Sequence, residues 1–447
     1  MSNTRTLTSG PIFSQLMGLT LPLLGANILQ QLYHIANSLV VIRYLGDDAL
    51  AALGVAESVM NLYTYVITGA CMGAGVLTAR FYGEQNFPRL RQQLFISGVL
   101  IGGSVLGAVI LGQVFLPQIL MLIQTPLELM GEVSRYLHVI LTGMIFTFTY
   151  NYLAAALRSI GDTKTALYIL LLSLGYNLIA AWIFVVILEW GILGTALATA
   201  SAQLLSSGLC LLYMMKKYPF LLFGSKDMVM DPKLAGLTVS YCAVAALQQS
   251  SLYLGKLLVQ GAVNGISTVS SAYISAFTAA SRIENFVQAF GISGCEAIAI
   301  FIAQNRGAKQ YKRVMTGFLL GAGATIGTSA MFSVLMYQFA QPLSEIFLNH
   351  SDALAPCVSY IQYISWFYIL SFTGHSFVGW FRGYGRMNIT FLGTTLQIVI
   401  RVIFTYLLVQ SMGLNAVALS TGLGWVAIVI FHSTMFLVQL KHRNSEP

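Results

Sequence analysis

Charge is what this 447-residue sequence has least of. Asp, Glu, Lys and Arg make up 9% of it, against 57% hydrophobic residues and a mean hydropathy of +0.75. Soluble domains carry about 25% charged residues, so the shortage excludes an ordinary water-soluble globule and puts most of the chain in a bilayer. Cysteine is sparse too: Cys71, Cys210, Cys242, Cys295 and Cys357 lie in or beside apolar runs without metal-ligand spacing. They read as small buried hydrophobes, not a disulfide framework or a metal site. No P-loop, HExxH or nucleophile–base pair is present, and the GYG at 383–385 has no strand before it. These absences exclude an enzyme and a resident cofactor. Uphill transport, if the chain performs it, must then draw on an ion gradient instead of ATP. The net charge of +8 reads as basic loops that fix orientation and touch anionic lipid, not as a nucleic-acid surface. The polar start, MSNTRTLTSGPIF, leads into a run too long for a signal peptide.

Long apolar runs are plentiful. About 20 such residues cross the hydrocarbon, and twelve stretches qualify, at 13–41, 49–78, 92–117, 131–156, 165–189, 192–215, 236–262, 269–301, 314–340, 356–380, 389–411 and 414–440. No alternating period persists, which argues against a barrel. The termini and the loops joining even to odd spans hold 18 Lys and Arg residues; the opposite loops hold only Arg43 and Arg135. That bias predicts cytoplasmic termini in the cytoplasmic membrane.

The sequence also repeats. Arg158-Ser159-Ile160-Gly161 matches Arg382-Gly383-Tyr384-Gly385 at an offset of 224, and Arg89 with Arg313 and Tyr136 with Tyr360 keep it. The fold expected is an all-α membrane protein of twelve transmembrane helices. They form two six-helix bundles related by a pseudo-two-fold axis along the membrane normal. The bundles would cover 1–215 and 236–447, joined by the polar linker 216–235.

Each half opens with an apolar helix bearing a polar stripe. Gln30, Tyr33, His34 and Asn37 share one face of the first, and Gln249, Tyr253 and Lys256 one face of the seventh. Lipid cannot satisfy such stripes, so they point to a shared polar cavity. Ionisable groups within spans cost about 2.5–3.5 kcal/mol each at the bilayer centre. They are Glu57, Lys256, Arg282, Glu284, Glu296 and Arg401. Glu284 and Gln288 lie one turn apart, as do Gln397 and Arg401. Either Glu284 exchanges a proton or cation, tuned by Lys256 or Arg401, or these groups form a permanent ion pair that bolts helices together. His34 could titrate near neutral pH; a packing role is equally open to it. Glu57 and Glu296 could cap or bridge helices. Tyr150, Tyr152, Trp366, Phe367 and Trp380 suit stacking on a flat cation or ordinary packing.

Several motifs carry a resemblance: LQQLYHIANSLVVIRYLG at 29–46, GAGVLTARFYGEQN at 73–86, LRSIGDTKTA at 157–166, ASRIENF at 280–286 and QNRGAKQYKRV at 304–314. In this order and over nearly the whole chain they resemble the multidrug and toxic compound extrusion (MATE) family, most closely its DinF-related bacterial branch. The resemblance implies a V-shaped, two-lobed transporter that exports small organic, often cationic compounds in exchange for H⁺ or Na⁺ by alternating access; a monomer is expected. It also implies coupling acids that this chain lacks. Asn37 stands where the branch carries an acid in the first span, Ala181 where one is common in the fifth, and Gln248/Gln249 where another branch has a glutamate. Glu284 matches the glutamate of the branch's R-I-E motif.

The expected ion-coupling candidates are therefore Glu284, Lys256, Arg401 and His34. The expected substrate contacts are Gln30, Tyr33, Asn37, Asn177, Gln249, Gln288 and Gln397. Two rival readings remain: a lipid or lipid-linked saccharide flippase of the same superfamily, with Lys256 and Arg401 meeting a phosphate, and a non-transporting receptor or channel.

Overall fold

The computed structural model describes residues 7–266, 272–348 and 352–443. Arg5 and the side chains of His34, Asp47, Asp48 and Arg443 lie outside the described residues. The first seven helices are α1 (Ile12–Leu45), α2 (Asp47–Gly83), α3 (Phe87–Val114), the short α4 (Leu116–Leu122), α5 (Leu127–Ser159), α6 (Thr163–Trp182) and α7 (Gly191–Lys217). They are followed by α8 (Pro232–Ile266), α9 (Ala272–Gly307), α10 (Tyr311–Gln338), the short α11 (Ala340–Glu345), α12 (Leu354–Ser365), α13 (Tyr368–Gly383), α14 (Met387–Met412) and α15 (Leu414–Arg443). Ten spans among the described residues are long and apolar enough to cross a membrane. The other two expected crossings are helical as well: one is an unbroken helix with polar groups inside it, the other is divided in two. One is α8, whose 35 residues include Gln248, Gln249 and Lys256. The other is broken at Trp366–Phe367 into α12 and α13.

The duplication is written in the backbone. Adding 224 carries the start of α3 onto that of α10, the start of α6 onto that of α14, and the end of α2 onto that of α9. It also carries left-handed residues onto one another: Gln85 (φ 55°) onto Lys309 (φ 59°), Gly161 (φ 92°) onto Gly385 (φ 73°), and Glu189 (φ 53°) onto Gly413 (φ 57°). Positive φ is uncommon outside glycine, so each pair marks one turn kept in both copies. In the first copy Asn86 and Asp162 then cap α3 and α6, accepting the N–H of Arg89 and of Thr165 at 3.2 Å each.

The chain packs into two compact units. One is Gly25–Gln249; the other is Leu7–Leu24 with the residues from Ser250 onward. The divisions fall inside α1 and α8 instead of in the 216–235 stretch that the sequence offers as a join. In α1 the change follows Pro22, which lacks the N–H for one rung of the helix ladder.

In the first unit α5 packs on α2 and α7, and α6 on α7. The first half of α8 lies so close to α2 that a Cβ on Gly69 would sit 2.6 Å from the Ala245 carbonyl oxygen. One on Gly73 would sit 2.5 Å from that of Tyr241. Lipid tails are as apolar as leucine, so van der Waals contact at such approaches, not water exclusion, joins spanning helices. The stretch between α7 and α8 is tied down as well. Phe220 rings with Tyr82 and Phe87, Asp227 meets Arg91 at 3.0 Å and Asp231 meets Arg89 at 4.0 Å.

In the second unit α9 packs on α13 and α10, and α14 on α15. Leu7, Leu16, Leu19 and Leu23 cluster with Ala297 and Phe301 of α9. Arg313, the repeat of Arg89, clamps this leading segment through the carbonyls of Leu7 (3.1 Å) and Gly10 (2.8 Å) and the Gln15 side chain (2.7 Å).

Candidate functional site

In the first unit, polar groups from four spans converge. The Tyr33 hydroxyl lies 3.3 Å from the Thr199 hydroxyl, and Asn177 Nδ2 donates to the same oxygen at 3.4 Å. Thr199 donates onward to the Thr195 carbonyl at 3.0 Å. Asn37, one turn along α1 from Tyr33, is 6% exposed, and Asn177 is 2% exposed. The Oδ1 atoms of both are buried and meet no donor among the described residues. An unsatisfied buried acceptor costs about 1–3 kcal/mol, so two of them in this unit suit a donor or a cation. Glu57 of α2 bears electrostatically on Tyr33 and on Tyr136 of α5. The position where the resemblance implies an acid in α6 is apolar: Ala181 is fully buried against Ala180, Ala198 and Phe184.

The second unit holds the acid-centred cluster. The Tyr360 hydroxyl on α12 donates to Glu284 Oε2 on α9 at 2.9 Å. Tyr360 and Tyr368 are almost wholly buried, and Glu284 bears electrostatically on both, as Arg401 of α14 does on Tyr360. One turn further along α9, Gln288 Oε1 accepts from the Ser371 hydroxyl of α13 at 3.0 Å. Gln288 Nε2 and Arg401 Nε are buried and find no acceptor among the described residues. Among the described residues no salt bridge joins Glu284 to Lys256 or Arg401. The permanent ion pair that the sequence left open is therefore not what the geometry shows.

The expected residues thus fall into three groups. Tyr33, Asn37 and Asn177 share the first cluster, and Glu284, Gln288 and Arg401 the second. Lys256 turns away: it is exposed, and Nζ donates to Asn285 Oδ1 at 3.3 Å. Gln30 is exposed, and Gln249 and Gln397 are half-buried. The stripe on α8 is itself divided, Gln249 ending the first unit and Lys256 lying in the second. The His34 side chain lies outside the described residues. Of the aromatics, Trp380 is buried against Phe318 and Phe436, Tyr152 bonds Ser97 at 3.0 Å, and Trp366 is exposed beside Tyr337. Thr199, Ser371 and Tyr368 were not singled out from sequence, since a hydroxyl in a span is common and only its neighbours distinguish it. Tyr360 did carry a signal, its repeat offset from Tyr136.

Comparison with known proteins fits this architecture. A "Probable multidrug resistance protein YpnP" of Bacillus subtilis is 26% identical over 427 residues, covering 94% of this chain and 93% of that protein. A "Probable multidrug resistance protein NorM" of Thermotoga maritima is 24% identical over 441 residues, with 96% and 92% covered. An outward-facing multidrug resistance MATE family transporter of the MOP superfamily superposes with a TM-score of 0.91 at 18% identity, over 99% of this chain and 98% of that one. A MOP superfamily transporter from Pyrococcus furiosus, described as having a binding pocket of reverse polarity that suggests a different function, gives 0.90 at 19%, over 99% of both. The MatE family pattern matches residues 22–183 and 244–407, one stretch in each repeat. With twelve crossings in two repeats and the pattern matched in each, the chain belongs to the MatE family of multi-pass membrane transporters.

Proposed function

We propose that this chain is an ion-coupled antiporter that exports organic compounds, cationic or amphiphilic, by alternating access. Glu284 is the acid that takes up and releases the coupling ion. The observation that carries this reading is the bond from Tyr360 to Glu284 at 2.9 Å, with no cation among the described residues bridged to the carboxylate. A carboxylate neutralised by a fixed cation has little reason to exchange. One held by a neutral hydroxyl in an apolar span is charged or protonated according to small changes around it. The relatives named for multidrug resistance support the substrate class, and the basic loops support a cytoplasmic-membrane protein with cytoplasmic termini.

Hydroxyl and amide neighbours at Glu284 suit a proton. The buried oxygens of Asn37 and Asn177 would suit Na⁺, and the two ions are separated by experiment. Ethidium efflux from proteoliposomes is measured under an H⁺ gradient alone and a Na⁺ gradient alone, in wild type and Glu284→Gln. The expected result is efflux driven by one gradient in wild type and lost in the variant; full-rate efflux in Glu284→Gln removes the role. The flippase reading keeps one observation, the buried Arg401 Nε without an acceptor. Scrambling of a fluorescent anionic lipid faster than in protein-free vesicles would favour it.

A further inference from the structure

The two copies balance the charge of their basic-loop ends differently. In the first unit, acids lie beside the cationic turns. Arg80 meets Glu84 at 2.9 Å, Arg91 meets Asp227 at 3.0 Å and Arg89 meets Asp231 at 4.0 Å. Asp162 accepts from the Tyr213 and Tyr218 hydroxyls at 2.9 Å each, and Lys217 donates to the Tyr213 oxygen at 2.8 Å. Asp227 and Asp231 come from the stretch between α7 and α8, which is held against the start of α3. Adding 224 removes this balance. Glu84 maps onto Ala308 and Asp162 onto Arg386, while Gln85 and Pro88 map onto Lys309 and Lys312. The segment clamped by Arg313 brings backbone carbonyls and the Gln15 amide in place of acids. Residues 304–314 and 382–388 therefore hold six cations, Arg306, Lys309, Lys312, Arg313, Arg382 and Arg386, and no Asp or Glu. Between Glu296, inside α9, and Glu446 the sequence has only Glu345 and Asp352. Both follow the far end of α10, whose 28 residues run about 42 Å.

The two second-unit turns lie together. Arg306 Nη1 donates to the Tyr384 carbonyl, and its guanidinium lies over the Tyr384 ring, 5.2 Å from the centre. α13, which ends at Gly383, packs on both α10 and α14. Lys309, Lys312 and Arg386 are exposed on these turns, and among the described residues no salt bridge reaches them. Like charges gathered without a counter-charge repel one another, so an anion is favoured here. The helices below the turns say which anion. On α10, Lys312, Thr316 and Leu319 share an exposed face; on α14, Asn388, Leu392, Leu396 and Val399 share one that begins just past Arg386. Acyl chains cover such apolar stripes, and phosphates lie where the stripes give way to polar turns. We propose that Lys309, Lys312 and Arg386 bind the phosphate headgroup of an anionic phospholipid at the basic-loop end of the second unit. The lipid supplies the negative charge that Asp162, Asp227 and Asp231 supply in the first. A zwitterionic lipid brings its own cation and leaves the charge unbalanced. Each cation beside an anionic membrane surface strengthens binding about fivefold, so the three amount to about a hundredfold.

The test titrates fluorescent phosphatidylglycerol, with fluorescent phosphatidylcholine as control, into the full chain in neutral-detergent micelles. Wild type is compared with the triple variant Lys309→Gln, Lys312→Gln, Arg386→Gln and with the triple variant Lys164→Gln, Lys226→Gln, Lys233→Gln. The second triple removes the same charge from exposed positions at the basic-loop end of the first unit. Wild type should bind phosphatidylglycerol and, much more weakly, phosphatidylcholine. The second-unit variant should bind phosphatidylglycerol about a hundredfold more weakly. The first-unit variant should stay within about twofold of wild type, since salt screens distant exposed charges. A charge-keeping triple, Lys309→Arg, Lys312→Arg, Arg386→Lys, should bind as wild type does. Equal losses in the two Gln triples would overturn the site in favour of net charge alone. Equal binding of the two lipids by wild type would overturn recognition of the headgroup, and loss in the charge-keeping triple would overturn a role for charge. Displacement of the labelled lipid by inorganic phosphate as readily as by unlabelled phosphatidylglycerol would overturn the lipid in favour of a free anion.

Discussion

In the first unit Glu57 of α2 acts on Tyr136 of α5; in the second Glu284 of α9 is bonded by Tyr360 of α12. The tyrosines are repeats of one another at the 224 offset, and the acids stand on equivalent helices, but not at equivalent positions. Glu57 maps onto Ser281, three residues before Glu284 and close to one helical turn away. Duplication kept the scaffold and the tyrosine while the acid moved along its helix. The surroundings diverged as well. The first unit offers amide and hydroxyl oxygens from Asn37, Asn177 and Thr199, whereas the second adds Gln288, Arg401 and a helix broken at Trp366–Phe367, between Tyr360 and Ser371. In the second copy the repeated tyrosine bonds the acid directly, at 2.9 Å.

Exchanging the acids for amides breaks or sharpens that contrast most strongly. Glu284→Gln should lower gradient-driven efflux about a hundredfold and Glu57→Gln about tenfold or less, within the range for groups that exchange protons. Equal losses would mean that the units share the coupling work. Removing the hydroxyl that holds the acid comes next. Tyr360→Phe deletes a hydrogen bond to a charged group, about 1.5–3 kcal/mol, and should shift the pH midpoint of efflux by a unit or more on the same scale, about 1.4 kcal/mol per unit. Tyr136→Phe should leave that midpoint where it is.

Packing gives the third contrast. Gly73→Val drives side-chain atoms into the Tyr241 backbone and should cost about 1–3 kcal/mol, as overpacking does, seen as a lower melting temperature in detergent. Ala297→Val, at the repeat position in α9, meets leucine side chains that can give way, and should cost less. The smallest effect lies in the tie between Asp227 and Arg91. The Gly224 N–H, and then Arg91, hold the Asp227 carboxyl below the usual carboxylate range. Its stabilisation is complete above the unfolded value of about 3.9 and is lost as pH falls through the lower folded one. Asp227→Asn should therefore remove about 0.5 kcal/mol or less at neutral pH and nothing further in strong acid, read from melting curves against pH.

The scaffold was legible in the sequence because it depends on length and period. Runs of twenty apolar residues, loop charge and a constant offset each report on single segments, and they yielded the twelve crossings and the duplication. What pairs with what was less legible. Lys256 and Arg401 looked alike as intramembrane cations, yet Lys256 is exposed and bonds Asn285, while Arg401 has a buried Nε and bears electrostatically on Tyr360. Helix rotation decides this, and a four-residue spacing does not fix rotation. The divisions within α1 and α8 were equally hidden, since Pro22 marks where a helix can change direction without saying what each half packs on.

The most direct measurement is an infrared titration of the reconstituted protein, comparing wild type with Glu284→Gln across the pH range in which efflux changes. A protonated-carboxyl band that fades as pH rises, in step with efflux, and is missing from Glu284→Gln is the predicted result. A Glu284 that gives no such band at any pH in that range, while efflux still changes, would contradict coupling through this acid.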